Sequence, residues 1–242
     1  MAQVGGREHE LARGEEPVAW TANGLITQRG NEIRLRARSG RLIRVVARGH
    51  SPVQDGADHT VVFVSRSGAV VRTDGLHVWQ LARGFRSSAW VQLLGSRIID
   101  VMSGPRSVFL RADGSRLGMT APAEAAAMGA VVALPSNRGV VYVVRRYRPG
   151  NDPGVNRVYL LRPHARARLL YTRRIPWLSC GEYTSLSYTA GRILYADDEG
   201  PTAVLDPSGR TRPVDLTRAL HLLKPRRNYL QQLSADWASS WR

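Results

Sequence analysis

Short apolar runs separated by turns recur along this chain, and their length constrains its fold more than any other feature. Thr60-Val61-Val62-Phe63-Val64-Ser65 is one such run and Ala69-Val70-Val71-Arg72 the next; Asp74-Gly75 then turns the chain into Leu76-His77-Val78-Trp79-Gln80-Leu81. Val, Phe and Trp suit a pleated, half-buried surface. The runs are too short for helices, which usually need roughly ten or more periodic residues. Asp-Gly between two runs is a hairpin signal, because a two-residue turn needs positive φ and glycine adopts it at little steric cost.

The same pattern repeats on either side. A first unit holds Val18-Ala19-Trp20, Leu25-Ile26-Thr27, Glu32-Ile33-Arg34-Leu35-Arg36 and Leu42-Ile43-Arg44-Val45-Val46, with turns at Asn23-Gly24 and Ser39-Gly40. Its clean alternation predicts one buried face and puts Arg34, Arg36 and Arg38 on the wetter one. His50 to His59, carrying Pro52, Asp55, Gly56 and Asp58, reads as a polar loop before the second unit. A third unit begins at Trp90 and runs through Ile98-Ile99-Asp100-Val101 and Ser107-Val108-Phe109-Leu110 to a turn at Asp113-Gly114 and a return at Leu117. Ala121 to Met128 is a connector with room for one helical turn. A fourth unit, Val131 to Tyr171, is interrupted by the insert Arg145 to Asn156 and turns at Pro163-His164 without a glycine. The fifth runs from Thr184 to a short return at Val214. The turn glycines Gly40, Gly75 and Gly114 lie 35 and 39 residues apart.

Units of about 40 residues with four short strands each have the period of a β-propeller blade. On the recurring pattern at Val61–Leu81, Ile98–Leu117 and Ile193–Val214, the chain resembles the TolB-like and WD-type propeller superfamily over about Pro17 to Val214. The resemblance implies an all-β fold, a β-propeller of about five four-stranded blades, with a partial extra blade or a C-terminal helical latch as options for the tail. It assigns no specific family: Trp-Asp signatures and an Asp-box are missing. A β-sandwich is the runner-up. The expected organisation is a polar, flexible lead-in over residues 1–16, propeller repeats over 17–214 and a tail over 215–242. In the tail, Leu216, Leu220 and Leu223 suit a helix stopped by Pro225, and Tyr229, Trp237 and Trp241 suit a latch or a docking anchor.

Charge narrows the function. Lys+Arg is 35 against 19 Asp+Glu, a net +16, and Lys224 is the single lysine among the cations. An excess of this size favours acidic partners or nucleic acid. Cys180 is the sole cysteine, so an internal disulfide is excluded. No stretch has the roughly 20 apolar residues of a membrane span. The start, with Glu8, Glu10, Glu15 and Glu16, is unlike a signal peptide. A cytoplasmic protein is therefore expected, exported only if a precursor was trimmed.

Two function classes follow. The first is a non-enzymatic scaffold whose basic face, at Arg145, Arg146, Tyr147, Arg148 and Arg157, binds a protein with an acidic surface; nucleic acid is a further partner class, and open blade edges allow self-association. Arginine forks grip carboxylates and phosphates alike, and neighbouring tyrosines can stack on bases. The alternative is a propeller glycoside hydrolase or lyase with carboxylates at the channel mouth, for which Asp58, Asp100 and Glu182 are the candidates. His50, Asp55, Asp58 and His59 share one loop, and Asp197-Asp198-Glu199 is the densest acidic cluster, but neither has a recognised metal-ligand spacing. No motif calls for a metal or cofactor.

Overall fold

The computed structural model describes residues 2–4, 7–9, 11–55, 58–95, 97–126, 130–146, 154–174, 184–189, 191–197 and 200–206. About two-thirds of them lie in antiparallel β-strands. A small hairpin, β1 (Ala2–Val4) with β2 (Arg7–His9), sits within the segment expected to be a lead-in. The main array begins with β3 (Glu15–Thr21), β4 (Gly24–Arg29), β5 (Glu32–Arg36) and β6 (Leu42–Asp55), then β7 (Thr60–Ser65), β8 (Val70–Thr73) and β9 (Val78–Ala82), paired in that order.

β6 is 14 residues long and belongs to two sheets. Its residues 42–48 pair with β5, and residues 49–55 pair with β7. The seven strands are therefore two four-stranded meanders sharing one bent strand. This corrects the loop expected over His50 to His59: most of it is strand, despite Pro52. Ser51, at φ 51°, takes the bend at the irregularity between His50 and Val53, and the ladder resumes at Val53↔Val62. Pairing with the strongly apolar β7 outweighs the weak strand propensity of Ser-Pro.

The next meanders are regular. β10 (Trp90–Leu94), β11 (Ile98–Ser103), β12 (Arg106–Arg111) and β13 (Arg116–Pro122) form one four-stranded sheet. After a single helical turn, α1 (Ala123–Ala126), come β14 (Val131–Ala133), β15 (Val140–Arg146), β16 (Val155–Leu161) and β17 (Arg168–Arg174). β18 (Ser185–Thr189), β19 (Arg192–Asp197) and β20 (Gly200–Leu205) make a three-stranded sheet; the expected return at Val214 lies outside the described residues. No sheet closes on itself among the described residues.

Successive sheets pack face against face, and period-2 alternation distributes their side chains. On β7, Val61 and Phe63 meet the first sheet, while Val62 and Val64 meet the third. On β11, Ile99 and Val101 point back to the second sheet and Ile98 forward to the fourth. On β15, Val140 and Tyr142 face the third sheet, and Val141 and Val143 the fifth. Interior sheets are thus buried on both faces, which explains runs such as Val61–Val64 that are apolar at every position. The first strands follow one another in space: β10 lies against β6 and β14, and β14 against β18.

The face of the first sheet turned away from β7 is different. There Glu15, 7 % exposed, accepts hydrogen bonds from Arg36 at Nε (2.6 Å) and Nη2 (2.5 Å), from Arg34 Nη1 (3.3 Å) and from the Thr27 hydroxyl (2.5 Å). Burial alone would raise the Glu15 carboxyl, but the hydrogen bonds from Arg36 and Thr27 and the charges of Arg36 and Arg34 hold it below its ordinary value of 4.5. Arg34 and Arg36 are therefore not on a wet face; their side chains are 13 % and 12 % exposed. Glu15, which seemed to belong to the lead-in, draws them in.

Turn glycines set how closely the units approach. Gly114 (φ 87°) follows Asp113, whose carboxylate accepts from the Ser115 amide at 2.9 Å. A Cβ on Gly114 would stand 2.1 Å from the Leu81 carbonyl oxygen, the backbone of the preceding unit. Gly84 has the same φ of 87° with nothing within 4 Å. Gly84→Ala should therefore lose only the left-handed strain, about 1 kcal/mol, whereas Gly114→Ala should lose about 2 kcal/mol or more. Urea unfolding of both variants checks the difference; equal losses would mean that Gly114 does not set the spacing between units.

Candidate functional site

The basic insert is anchored on a polar cluster between the fourth and fifth sheets. Across β15 and β16, Arg145 pairs with Asn156 and Val144 with Arg157. Arg145 and Asn156 share the face carrying Val141, Val143, Val158 and Leu160, so they point toward the fifth sheet. Arg145 Nε donates to Asn156 Oδ1 at 3.4 Å, and Asn156 Nδ2 donates to the Tyr195 hydroxyl at 2.7 Å. Nearby on the same interface, Arg173 Nε donates to Asp197 Oδ2 at 3.3 Å, and the Tyr171 and Tyr195 rings meet edge to face at 5.7 Å. Burial pushes the Tyr195 phenol up to about 12, with the Asn156 hydrogen bond pulling slightly the other way. The phenol thus stays neutral through the physiological range and acts as a pin that fixes Asn156, and through it Arg145.

Arg157 lies on the other face of the same strand. It shares its side with Tyr159, which packs toward the third sheet and stacks on Tyr142 at 5.5 Å. Arg145 and Arg157 are close in sequence, but the pairing register sends them to opposite faces. They do not make one continuous surface. Arg146 ends β15 opposite Val155. Tyr147 and Arg148 lie outside the described residues, as do Glu182, Cys180 and the aromatic tail.

The candidate acids are also separated. Asp58 stands at the exposed turn before β7, its side chain 53 % exposed, where Arg72 Nη1 reaches it at 3.2 Å. The same guanidinium holds the buried Asp55 at 3.0 Å. Asp100 is in the middle of β11, fully buried, on the face turned to the fourth sheet beside Phe109. Gln92 Nε2 donates to its Oδ2 at 2.9 Å, and among the described residues neither its Oδ1 nor the nearby buried Ser107 hydroxyl makes a well-formed hydrogen bond. Burial pushes the Asp100 carboxyl up to about 6, against the opposing pull of Gln92 and Ser107. One candidate acid is at a turn in solvent and the other inside an interface between sheets.

Two further features bear on ligand binding. A cleft of about 360 Å³ opens between the third and fourth sheets, floored by Leu94, Ile98 and Leu134, with Arg97 and Ser136 also in its lining. Among the described residues, no group of three or more His, Cys, Asp and Glu is placed to hold a metal ion, and no helix is long and apolar enough to cross a membrane. Of the acidic run, Asp197 pairs with Gly200 across the turn and is engaged by Arg173. No protein-family model and no curated protein matches the chain.

The roles of Asn156 and Tyr195 were partly visible in the sequence. Asn156 occupies an inward position by parity with Val158 and Leu160, and an inward amide needs a partner. Which residue answers it depends on how the fifth sheet docks, and no local pattern encodes that.

Asp100 gives a pH test with a defined sign. Its carboxyl ionises near 3.8 when unfolded and near 6 when folded, so burial costs nothing below pH 3.8 and the full penalty is felt above pH 6. Asp100→Asn should therefore stabilise the fold above pH 6 by an amount on the order of 3 kcal/mol, and leave it nearly unchanged below pH 3.8. Thermal melts of both proteins across that range measure it. A pH-independent difference would rule out a protonated, buried carboxyl.

Proposed function

We propose that the chain is a β-propeller of about five blades that works as a binding scaffold for a protein with an acidic surface. The ring reading is supported by antiparallel meanders of which the second, third and fourth each lie between two neighbours, and by first strands that adjoin one another in chain order. Such an array is rigid and presents its outer strands and turns to solvent.

One observation carries the binding reading: most of the described acids are turned inward or engaged, while most of the described arginines stay outside. Glu15, Asp55 and Asp100 are buried. Among residues whose exposure is described, the exposed carboxylates are Glu16, Asp58 and Asp113, and Arg72 already engages Asp58. Arg29, Arg38, Arg41, Arg44, Arg48, Arg66, Arg83, Arg97, Arg106, Arg111, Arg116, Arg138, Arg162, Arg166, Arg168, Arg174 and Arg192 are all exposed. A surface charged in this one-sided way steers acidic partners toward it and binds carboxylates through guanidinium forks.

The hydrolase reading has less support. Asp100 is enclosed and Asp58 is engaged by an arginine, so the two do not flank a common substrate. Nucleic acid shares the anionic chemistry and is separated from protein acids by experiment.

Fluorescence anisotropy with labelled polyglutamate and with a random-sequence DNA duplex, over a salt series, tests the reading. Polyglutamate is expected to bind at low salt and weaken as salt rises. Tighter binding to DNA with a steep salt slope would favour the nucleic-acid class instead. Cleavage of a glycoside or lactone panel that disappears in Asp58→Asn would overturn the scaffold reading.

A further inference from the structure

The first half of β6 combines an unpaired edge, exposed aliphatic side chains and exposed arginines. Residues 42–48 pair with β5 on one side, and on the other side no strand pairs with them among the described residues. This open edge is apolar: Leu42, Ile43 and Val45 are 40 %, 44 % and 41 % exposed. The strip continues onto the neighbouring unit. Arg44 Nη1 donates to the Leu76 carbonyl oxygen at 3.5 Å, and Leu76, Val78 and Trp79 are exposed to a similar degree. The acids beside this strip are occupied: Glu32, opposite Arg48, is held by Arg34, and the Asp74 carboxylate accepts from the amides of Leu76 and His77 and from the His77 ring.

An open strand edge carries unpaired N–H and C=O groups and is a template for another strand; chains that avoid such pairing usually blunt the edge with charge, proline or a bulge. Here the β5–β6 ladder is irregular at Ile43 and Val46, and the Arg48 carbonyl accepts from the Arg66 amide at 3.2 Å, yet the edge keeps three exposed aliphatic side chains. Its charges are all of one sign: Arg41, Arg44 and Arg48 are exposed, and none forms an ion pair among the described residues. A second copy of the chain would bring the same arginines against them, on top of a net charge of +16. The complementary occupant is an extended segment that alternates carboxylates with aliphatic residues.

We propose that the outer edge of β6, over residues 42–48, receives an extended acidic segment of a partner protein as an added β-strand. Backbone hydrogen bonds supply the pairing. Arg41, Arg44 and Arg48 select carboxylates, and Leu42, Ile43 and Val45 with Leu76 cover the aliphatic positions. The proposal rests on the acidic-partner reading above and narrows it to one strand.

The test uses the full chain and three fluorescein-labelled peptides: alternating Glu and Val, alternating Lys and Val, and the Glu–Val peptide with a central proline. Anisotropy gives affinity, and amide hydrogen exchange locates the contact. The Glu–Val peptide is expected to bind, the Lys–Val peptide not to bind, and the proline peptide to bind at least tenfold more weakly. Exchange over residues 42–48 should slow on binding. Arg44→Glu and Ile43→Asp should each weaken binding about tenfold or more, while unchanged melting temperatures show that the fold is intact. Binding that survives Arg44→Glu, or that leaves 42–48 unprotected, overturns this proposal and leaves the acidic-partner reading standing. Failure of both the Glu–Val peptide and polyglutamate to bind overturns both. Protection of 42–48 without peptide, in a dimer that Ile43→Asp dissociates, overturns it in favour of self-association.

Discussion

Each four-stranded unit in the middle of this chain has two oily faces, and a single unit cannot bury either of them. Everything else in the structure follows from that requirement. Val61 and Phe63 need the first sheet, while Val62 and Val64, one residue along the same strand, need the third. A sandwich covers one face of each sheet and would leave the other wet. A series of sheets covers both, so each interior unit is stabilised chiefly by its neighbours. The tight approach at Gly114 and the ring of His164 lying over Gly118 are the steric counterpart of the same packing.

The first sheet shows what happens where the alternation meets charge. Its far face holds Glu15 between Arg34 and Arg36, with Thr27 completing the carboxylate's hydrogen bonds. A buried ion pair adds little net stability compared with apolar packing, but losing one partner is costly. Because the Glu15 carboxyl is held below 4.5, its contribution is present above that pH and fades as the pH falls further. Asp100 behaves in the opposite sense, because burial outweighs the hydrogen-bonding pull of Gln92 and Ser107. The two carboxyls differ in sign for a simple reason: arginines reach one, while among the described residues a glutamine amide and a serine hydroxyl serve the other.

What the sequence made legible was whatever depends on alternation and turn chemistry. The strands of the first, third and fourth units appear where their apolar runs and turns place them, and the helical turn after Ala121 is a single turn. What stayed hidden depends on register and on contacts distant in sequence. Pro52 and Asp55 read as loop because their strand is imposed by β7 rather than by local preference. Arg34 and Arg36 read as solvent-facing because Glu15 lies some twenty residues earlier, in a stretch that looked unstructured. Arg145 and Arg157 read as one basic surface until the ladder placed 145 opposite 156 and 144 opposite 157.

Position within a unit then decides which residues are free to carry function. The first strands β10 and β14 lie against strands of neighbouring units, and most of their side chains are committed to packing, although Trp90 is 60 % exposed. The last strands keep one edge unpaired among the described residues; of the exposed aliphatic residues, Leu42, Ile43, Val45, Val78 and Leu169 lie on such strands and Leu76 in the turn leading into one. Arginine is well suited to that position, since its stem covers apolar surface while its planar head stays in water and remains charged. Carboxylates on the same edge would cancel that charge, and the described ones are instead drawn into turns and interfaces. The packing that consumes the interior thus leaves these edges both apolar and cationic.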